Sequence, residues 1–121
     1  MTLNGMQVLV VEDEAMVSML LEEFLEELGC VVVATAARLE DALDKARSLV
    51  VDAAVLDVNL AGKVSYPVAE ALRARGVPFV FSTGYGAGGL PDGWRDTPVL
   101  SKPFRQEQLA EALTAARQGD K

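Results

Sequence analysis

Short runs of consecutive aliphatic residues alternate along this chain with longer stretches in which apolar residues recur every three or four positions. The runs read as strands buried on both faces, and the longer stretches as amphipathic helices. Met6–Val11 is the first run, and it stops abruptly at Glu12-Asp13-Glu14. A helix follows, with Val17, Leu21, Phe24 and Leu28 on one side, Glu22, Glu23, Glu26 and Glu27 on the other, and Gly29 as its stop. Cys30–Thr35 predicts a second strand, and Leu39, Ala42, Leu43 and Ala46 the inner face of a second helix. Asp52–Asp57 predicts a third strand, and Pro67 suits the first turn of a helix that runs to Arg75 before Gly76. The fourth strand, Val77–Ser82, opens into Thr83-Gly84-Tyr85-Gly86-Ala87-Gly88-Gly89, too glycine-rich for a regular helix. Thr97–Ser101 predicts a fifth strand. Gln106–Arg117 predicts a closing helix with Leu109, Ala112, Leu113 and Ala116 inward.

This alternation implies an α/β fold: a five-stranded parallel sheet with helices on both faces, right-handed crossovers, and a fourth helix that is short or missing. Flavodoxin-like strand order, 2-1-3-4-5, is expected. In such sheets the ligand site lies outside the carboxyl ends of the strands, where the order switches between the first and the third. Trp94 and the stretch Gly84–Gly93 read as a loop, or as a mobile replacement for the missing helix.

Composition narrows the chemistry. The 121 residues make one domain, residues 1–121, and with half of them apolar the chain can fold without staples. Eighteen acidic against eleven basic residues give a net charge of −7, which repels phosphate backbones and anionic lipid. No direct nucleic-acid or membrane partner is expected. Cys30 is the only cysteine and there is no histidine, so an internal disulfide and any Ser-His or Cys-His nucleophile are excluded. With no leader-like segment and no apolar run of about 18 residues, the protein is expected in the cytoplasm.

The predicted topology gathers the strand ends: Glu12 and Asp13 from the first, Asp57 from the third, Thr83 from the fourth, Lys102-Pro103 from the fifth. Any one of these is ordinary, since a lone acid at a strand end usually serves a turn or helix cap. Together they are not. Carboxylates a few ångströms apart repel by about 4 kcal/mol per close pair at an effective dielectric of about 20, so the site takes up a cation or protons. Oxygen-only donors favour Mg²⁺ over zinc or copper. Mg²⁺ and Lys102 together cancel the three carboxylate charges, and an acyl phosphate on Asp57 would leave a single negative charge beside hydroxyl and backbone donors. In that chemistry the carboxylate is the nucleophile, and Lys102 and Thr83 take up phosphoryl charge. An ionised Asp57 needs no general base.

The ordered set Val-Val-Glu12-Asp13-Glu, Leu-Asp57-Val-Asn59-Leu, Ser-Thr83-Gly and Ser-Lys102-Pro103-Phe104 resembles the receiver domain of two-component response regulators, over essentially the full chain. The resemblance implies a CheY-like fold, phosphorylation at Asp57, and Mg²⁺ held by Asp13, Asp57, the Asn59 main-chain carbonyl and, through water, Glu12. It also implies phosphoryl contacts from Thr83 and Lys102, a cis Lys102-Pro103 bond, and slow self-dephosphorylation modulated by Asn59 and Tyr85, without classical enzyme activity. The stretch Val77-Pro78-Phe79-Val80-Phe81-Ser82-Thr83-Gly84-Tyr85-Gly86 is similar to the signature of FATGUY single-domain response regulators of alphaproteobacteria, with Ser82 in place of their alanine. That group is linked to general stress signalling.

Two positions depart from the family. Val99 stands where receivers carry a switch aromatic, which leaves Tyr85 as the candidate replacement. Ala61 stands where a proline usually follows the phosphorylated aspartate, a change expected to affect loop rigidity more than chemistry. The resemblance implies a histidine kinase or histidine phosphotransfer protein as donor; Met16 with Met19 or Leu20, beside the core stripe, reads as ordinary core or, together with Pro103 and Phe104, as a docking surface for that donor's helical bundle. Because only Gly119-Asp120-Lys121 follow the last helix, no effector domain is expected, and output goes to a separate protein effector from a monomer or weak dimer. A phosphate sink and a phosphorelay intermediate would use the same site. A flavodoxin-like flavin module is disfavoured because Glu12-Asp13-Glu14 would expel a phosphate. A haloacid-dehalogenase-like phosphatase is disfavoured because it wants an acid where Asn59 stands.

Overall fold

The computed structural model describes residues 3–84, 90–94 and 96–119. Five parallel strands, β1 (Gln7–Val11), β2 (Val31–Ala36), β3 (Ala53–Asp57), β6 (Phe79–Thr83) and β7 (Val99–Ser101), form one sheet in the order β2-β1-β3-β6-β7. This is the expected flavodoxin-like order, with β6 and β7 as the predicted fourth and fifth strands. The helices are α1 (Ala15–Glu27), α2 (Leu39–Ser48), α3 (Tyr66–Ala74) and α4 (Gln106–Gly119).

Strand alternation sorts the core into two layers. Val8 and Val10 of β1 face the layer that holds Leu21 and Leu25 of α1 and Leu109 and Leu113 of α4. Leu9 and Val11 face the layer that holds Ala42 and Ala46 of α2 and Val68, Ala69 and Leu72 of α3. Burial on both faces is why the central strands read as unbroken apolar runs.

Strand boundaries shift for a local reason. The Val77 N–H donates back to Leu72 O at 3.0 Å and closes α3, and the Thr97 N–H donates to Trp94 O at 3.1 Å. Each is followed by a proline, which has no N–H for the ladder. The strands therefore begin two residues later than predicted, at Phe79 and Val99.

Two features lie outside the sequence expectation. Asn59–Leu60 (β4) and Lys63–Val64 (β5) pair as an antiparallel hairpin directly after β3, too short to leave a periodic signal. Its turn residues Ala61 and Gly62 both have positive φ, +52° and +90°. That twist suits a two-residue hairpin turn but costs a non-glycine residue about 1 kcal/mol. Between β6 and β7 the described residues form only a short 3₁₀ turn, Asp92–Trp94, consistent with a missing helix. Trp94 is no exposed loop tip: it is buried, stacked on Tyr66 with edge contacts to Phe79 and Phe81. The Arg73 guanidinium lies 4.0 Å from the centre of one of its rings. Among the described residues no helix is long and apolar enough to cross a membrane.

Candidate functional site

The ladder brings the polar strand ends to one rim. Val11 pairs with Leu56, so Glu12 follows beside Asp57, and Asp57 pairs with Ser82 next to Thr83. The Glu12 N–H donates to Ala36 O at 2.9 Å, and the Lys102 N–H to Thr83 O at 2.9 Å. One oxygen from each of Glu12, Asp13 and Asp57 lies within 4.8 Å of the others. Lys102 Nζ stands 3.2 Å from Asp57 Oδ2, 3.1 Å from Glu12 Oε1 and 3.6 Å from Glu14 Oε1. Glu14 is a member of this network that motif reasoning missed, although its place directly after Glu12-Asp13 was the available signal. The cleft, of about 510 Å³, is lined by Asp13, Glu14, Asp57, Asn59, Thr83 and Lys102 among others.

Backbone donors fix the carboxylates. Asp57 Oδ1 accepts from the Asn59 N–H at 3.2 Å, Asp13 Oδ2 from the Ala61 N–H at 3.0 Å, and Glu12 Oε2 from the Glu14 N–H at 3.1 Å. Glu12 Oε1 is fully buried, and the Lys102 ammonium faces it at 3.1 Å. The Ser82 hydroxyl is buried without a hydrogen-bond partner.

The titration behaviour follows. Burial, reinforced by the hydrogen bond and charge of Asp57, pushes Glu12 up to about 7. Burial also raises Asp57, against the opposing pull of Glu12, Lys102 and the Asn59 N–H. At Asp13 burial acts upward, but the Ala61 N–H and the neighbouring carboxyls outweigh it and hold the group below its usual range. Lys102 loses some basicity to burial and regains more from Glu12 and Asp57, ending above its usual value. Metal-free, Glu12 takes up a proton as pH falls through about 7. A hard divalent cation fits this donor set, because it supplies positive charge to three oxygen donors within 4.8 Å of one another and competes with the proton on Glu12.

The other predicted residues divide. Met16, Met19 and Leu20 are exposed on α1, at 84 %, 66 % and 39 %. Phe104, expected beside them, is instead 7 % exposed, in the core and edge-on to Phe24 at 6.2 Å, because it packs where α1 and α4 meet the sheet. It offers no docking surface. Pro103 is exposed and the Lys102-Pro103 bond is cis. Tyr85 lies outside the described residues.

Residues 8–114 match the family model described as the response regulator receiver domain. The chain belongs to that family. Among solved structures, this receiver is similar to SdrG from Sphingomonas melonis Fr1, with 46% identity, a TM-score of 0.84, and coverage of 96% of this chain and 98% of that one. It is similar at 27% identity and a TM-score of 0.82 to the PhyR stress response regulator, over 96% of this chain and 46% of that longer one. The receiver domain of the sensor histidine kinase PA1611 from Pseudomonas aeruginosa PAO1 is 26% identical with a TM-score of 0.77, over 94% and 98% of the two chains. That relative holds a magnesium ion coordinated in its active-site cleft. No match was found among curated protein sequences.

Proposed function

We infer that this receiver is a phosphorylation switch in stress signalling, in which Asp57 accepts a phosphoryl group from a histidine kinase or histidine phosphotransfer protein. The observation that carries the reading is the ion pair between Lys102 Nζ and Asp57 Oδ2 at 3.2 Å, inside a ring of two further carboxylates. Asp57 Oδ2 attacks the phosphorus of the donor phosphoramidate, a P–O bond forms as the P–N bond breaks, and the donor imidazole leaves. The Lys102 ammonium and the Thr83 hydroxyl then face the oxygens of the new acyl phosphate. Glu12, Asp13, Asp57 and the Asn59 main-chain carbonyl would hold Mg²⁺, which when bound supplies positive charge to the phosphoryl oxygens. Asn59, neutral beside the acceptor, leaves attack by water without a general base and the hydrolysis slow.

Met16, Met19 and Leu20 form an exposed apolar strip on α1, which starts three residues after Glu12, so a helical donor seated there comes close to Asp57. Output passes to a separate protein effector in the cytoplasm. Incubation with Mg²⁺ and a small phosphodonor such as acetyl phosphate, followed by intact mass measurement, tests the assignment. The wild type gains one phosphoryl group and Asp57→Asn gains none; equal gain in both overturns it.

A further inference from the structure

The β4–β5 hairpin brings a backbone donor to Asp13 that a receiver with proline at position 61 cannot have. Asn59, two residues after the acceptor, donates its N–H to Asp57 Oδ1 and accepts the Gly62 N–H on its own Oδ1 at 2.8 Å. The turn so pinned holds Ala61 at φ +52°, where proline, restricted to φ near −65°, cannot go. In this position the Ala61 N–H donates to Asp13 Oδ2 at 3.0 Å, across 48 residues of chain. Proline has no N–H to offer.

We propose that Ala61 is a positioning residue for the cation: its N–H occupies one oxygen of Asp13 and leaves the other to a divalent metal, so the turn sets Mg²⁺ affinity. The strained φ fits this role. A non-glycine residue in the left-handed region persists only where the surroundings over-determine it, and here the Asn59 side chain holds the Gly62 N–H while the Asp13 carboxylate holds that of Ala61. The second partner of a metal-binding carboxylate orients it, and loss of such a partner typically weakens metal affinity by about 10–100-fold. The proposal rests on the metal reading above and does not depend on phosphoryl transfer.

Calorimetric titration with MgCl₂ alone, on the full chain, compares the wild type with Ala61→Gly and Ala61→Pro. Glycine keeps both the N–H and the conformation, so its Kd stays within about twofold of wild type, whereas proline weakens binding about tenfold or more. Equal affinity of a folded Ala61→Pro variant overturns the role of the turn. Absence of Mg²⁺ binding by the wild type overturns the metal reading as well, which keeps the two failures distinct. Should Ala61→Pro not fold, amide spectra of Asp13→Ala decide: the Ala61 amide shifts and exchanges faster, while the Gly62 amide, bonded to Asn59, does not. An Ala61 amide indifferent to the loss of Asp13 sinks the proposal.

Discussion

The two ends of the sheet are both polar and both indented, yet they differ in how their charges are met. At the amino-terminal end, Asp52 Oδ2 accepts the Gln7 N–H at 2.8 Å, and Arg75 donates to the Ala46 and Leu49 carbonyls at 2.7 and 2.8 Å, closing the end of α2. Backbone dipoles answer these charges one at a time. At the carboxyl end three carboxylates each accept a backbone N–H too, yet they crowd within 4.8 Å of one another and, among the described residues, meet one ammonium, Lys102. The amino-terminal cleft is the larger, about 600 Å³ against about 510 Å³. Volume therefore does not mark the site. Unresolved charge does, because a group whose burial is not compensated keeps a strong free-energy response to an incoming cation or phosphoryl group.

The sharpest way to break this comparison is Lys102→Met. Removal of the ammonium paired with the buried Glu12 and Asp57 costs about 3–5 kcal/mol in metal-free protein at neutral pH, with part of the loss restored by Mg²⁺. Urea midpoints with and without the metal measure it, and an unchanged midpoint means the rim is as self-sufficient as the opposite end.

A second prediction follows from protons. Glu12 titrates near 7 in the folded chain against about 4.5 unfolded, so the folded state holds the extra proton. The stability this contributes is fully present below about 4.5 and is lost as pH rises through about 7, a fall on the order of 3 kcal/mol. The raised Asp57 adds in the same direction and the lowered Asp13 opposes it. Thermal melts of metal-free protein from pH 4.5 to 8 should show the decline, and Glu12→Gln should flatten it. Saturating Mg²⁺ should do the same by replacing the proton. A wild-type curve that rises over this window contradicts the raised Glu12.

The smallest effect belongs to the other end. Arg75→Ala removes two hydrogen bonds to α2 carbonyls and costs about 1–3 kcal/mol, with no dependence on Mg²⁺. A Mg²⁺-sensitive loss there, read by the same urea titrations, would erase the distinction between the ends.

Much of this was legible in the linear chain. Five apolar runs, four of them followed by a polar strand end, predicted the sheet order and placed Glu12, Asp13, Asp57, Thr83 and Lys102 at one rim, because period and topology are properties of short segments and general crossover rules. Phe104 was misplaced because its neighbours Lys102 and Pro103 belong to the rim, while burial depends on where α1 and α4 meet. Ala61 was read as a matter of rigidity because its contribution is a backbone N–H, which every residue but proline has and which no side-chain motif reveals. Trp94 gave no sign of its anchoring role, since its ring contacts come from α3 and β6, 13 to 28 residues earlier in the chain.

What the sequence by itself determined is which residues can carry chemistry and that they lie at strand ends, since hydrophobic period and residue type are local. The tertiary structure alone decided which oxygen of each carboxylate is occupied, which carboxyls burial shifts upward, and that a two-residue turn reaches across to Asp13. Those are matters of distances of about 3 Å between segments far apart in the chain, and hydrogen bonding and Coulomb energy depend on such distances and on burial, which no linear pattern contains.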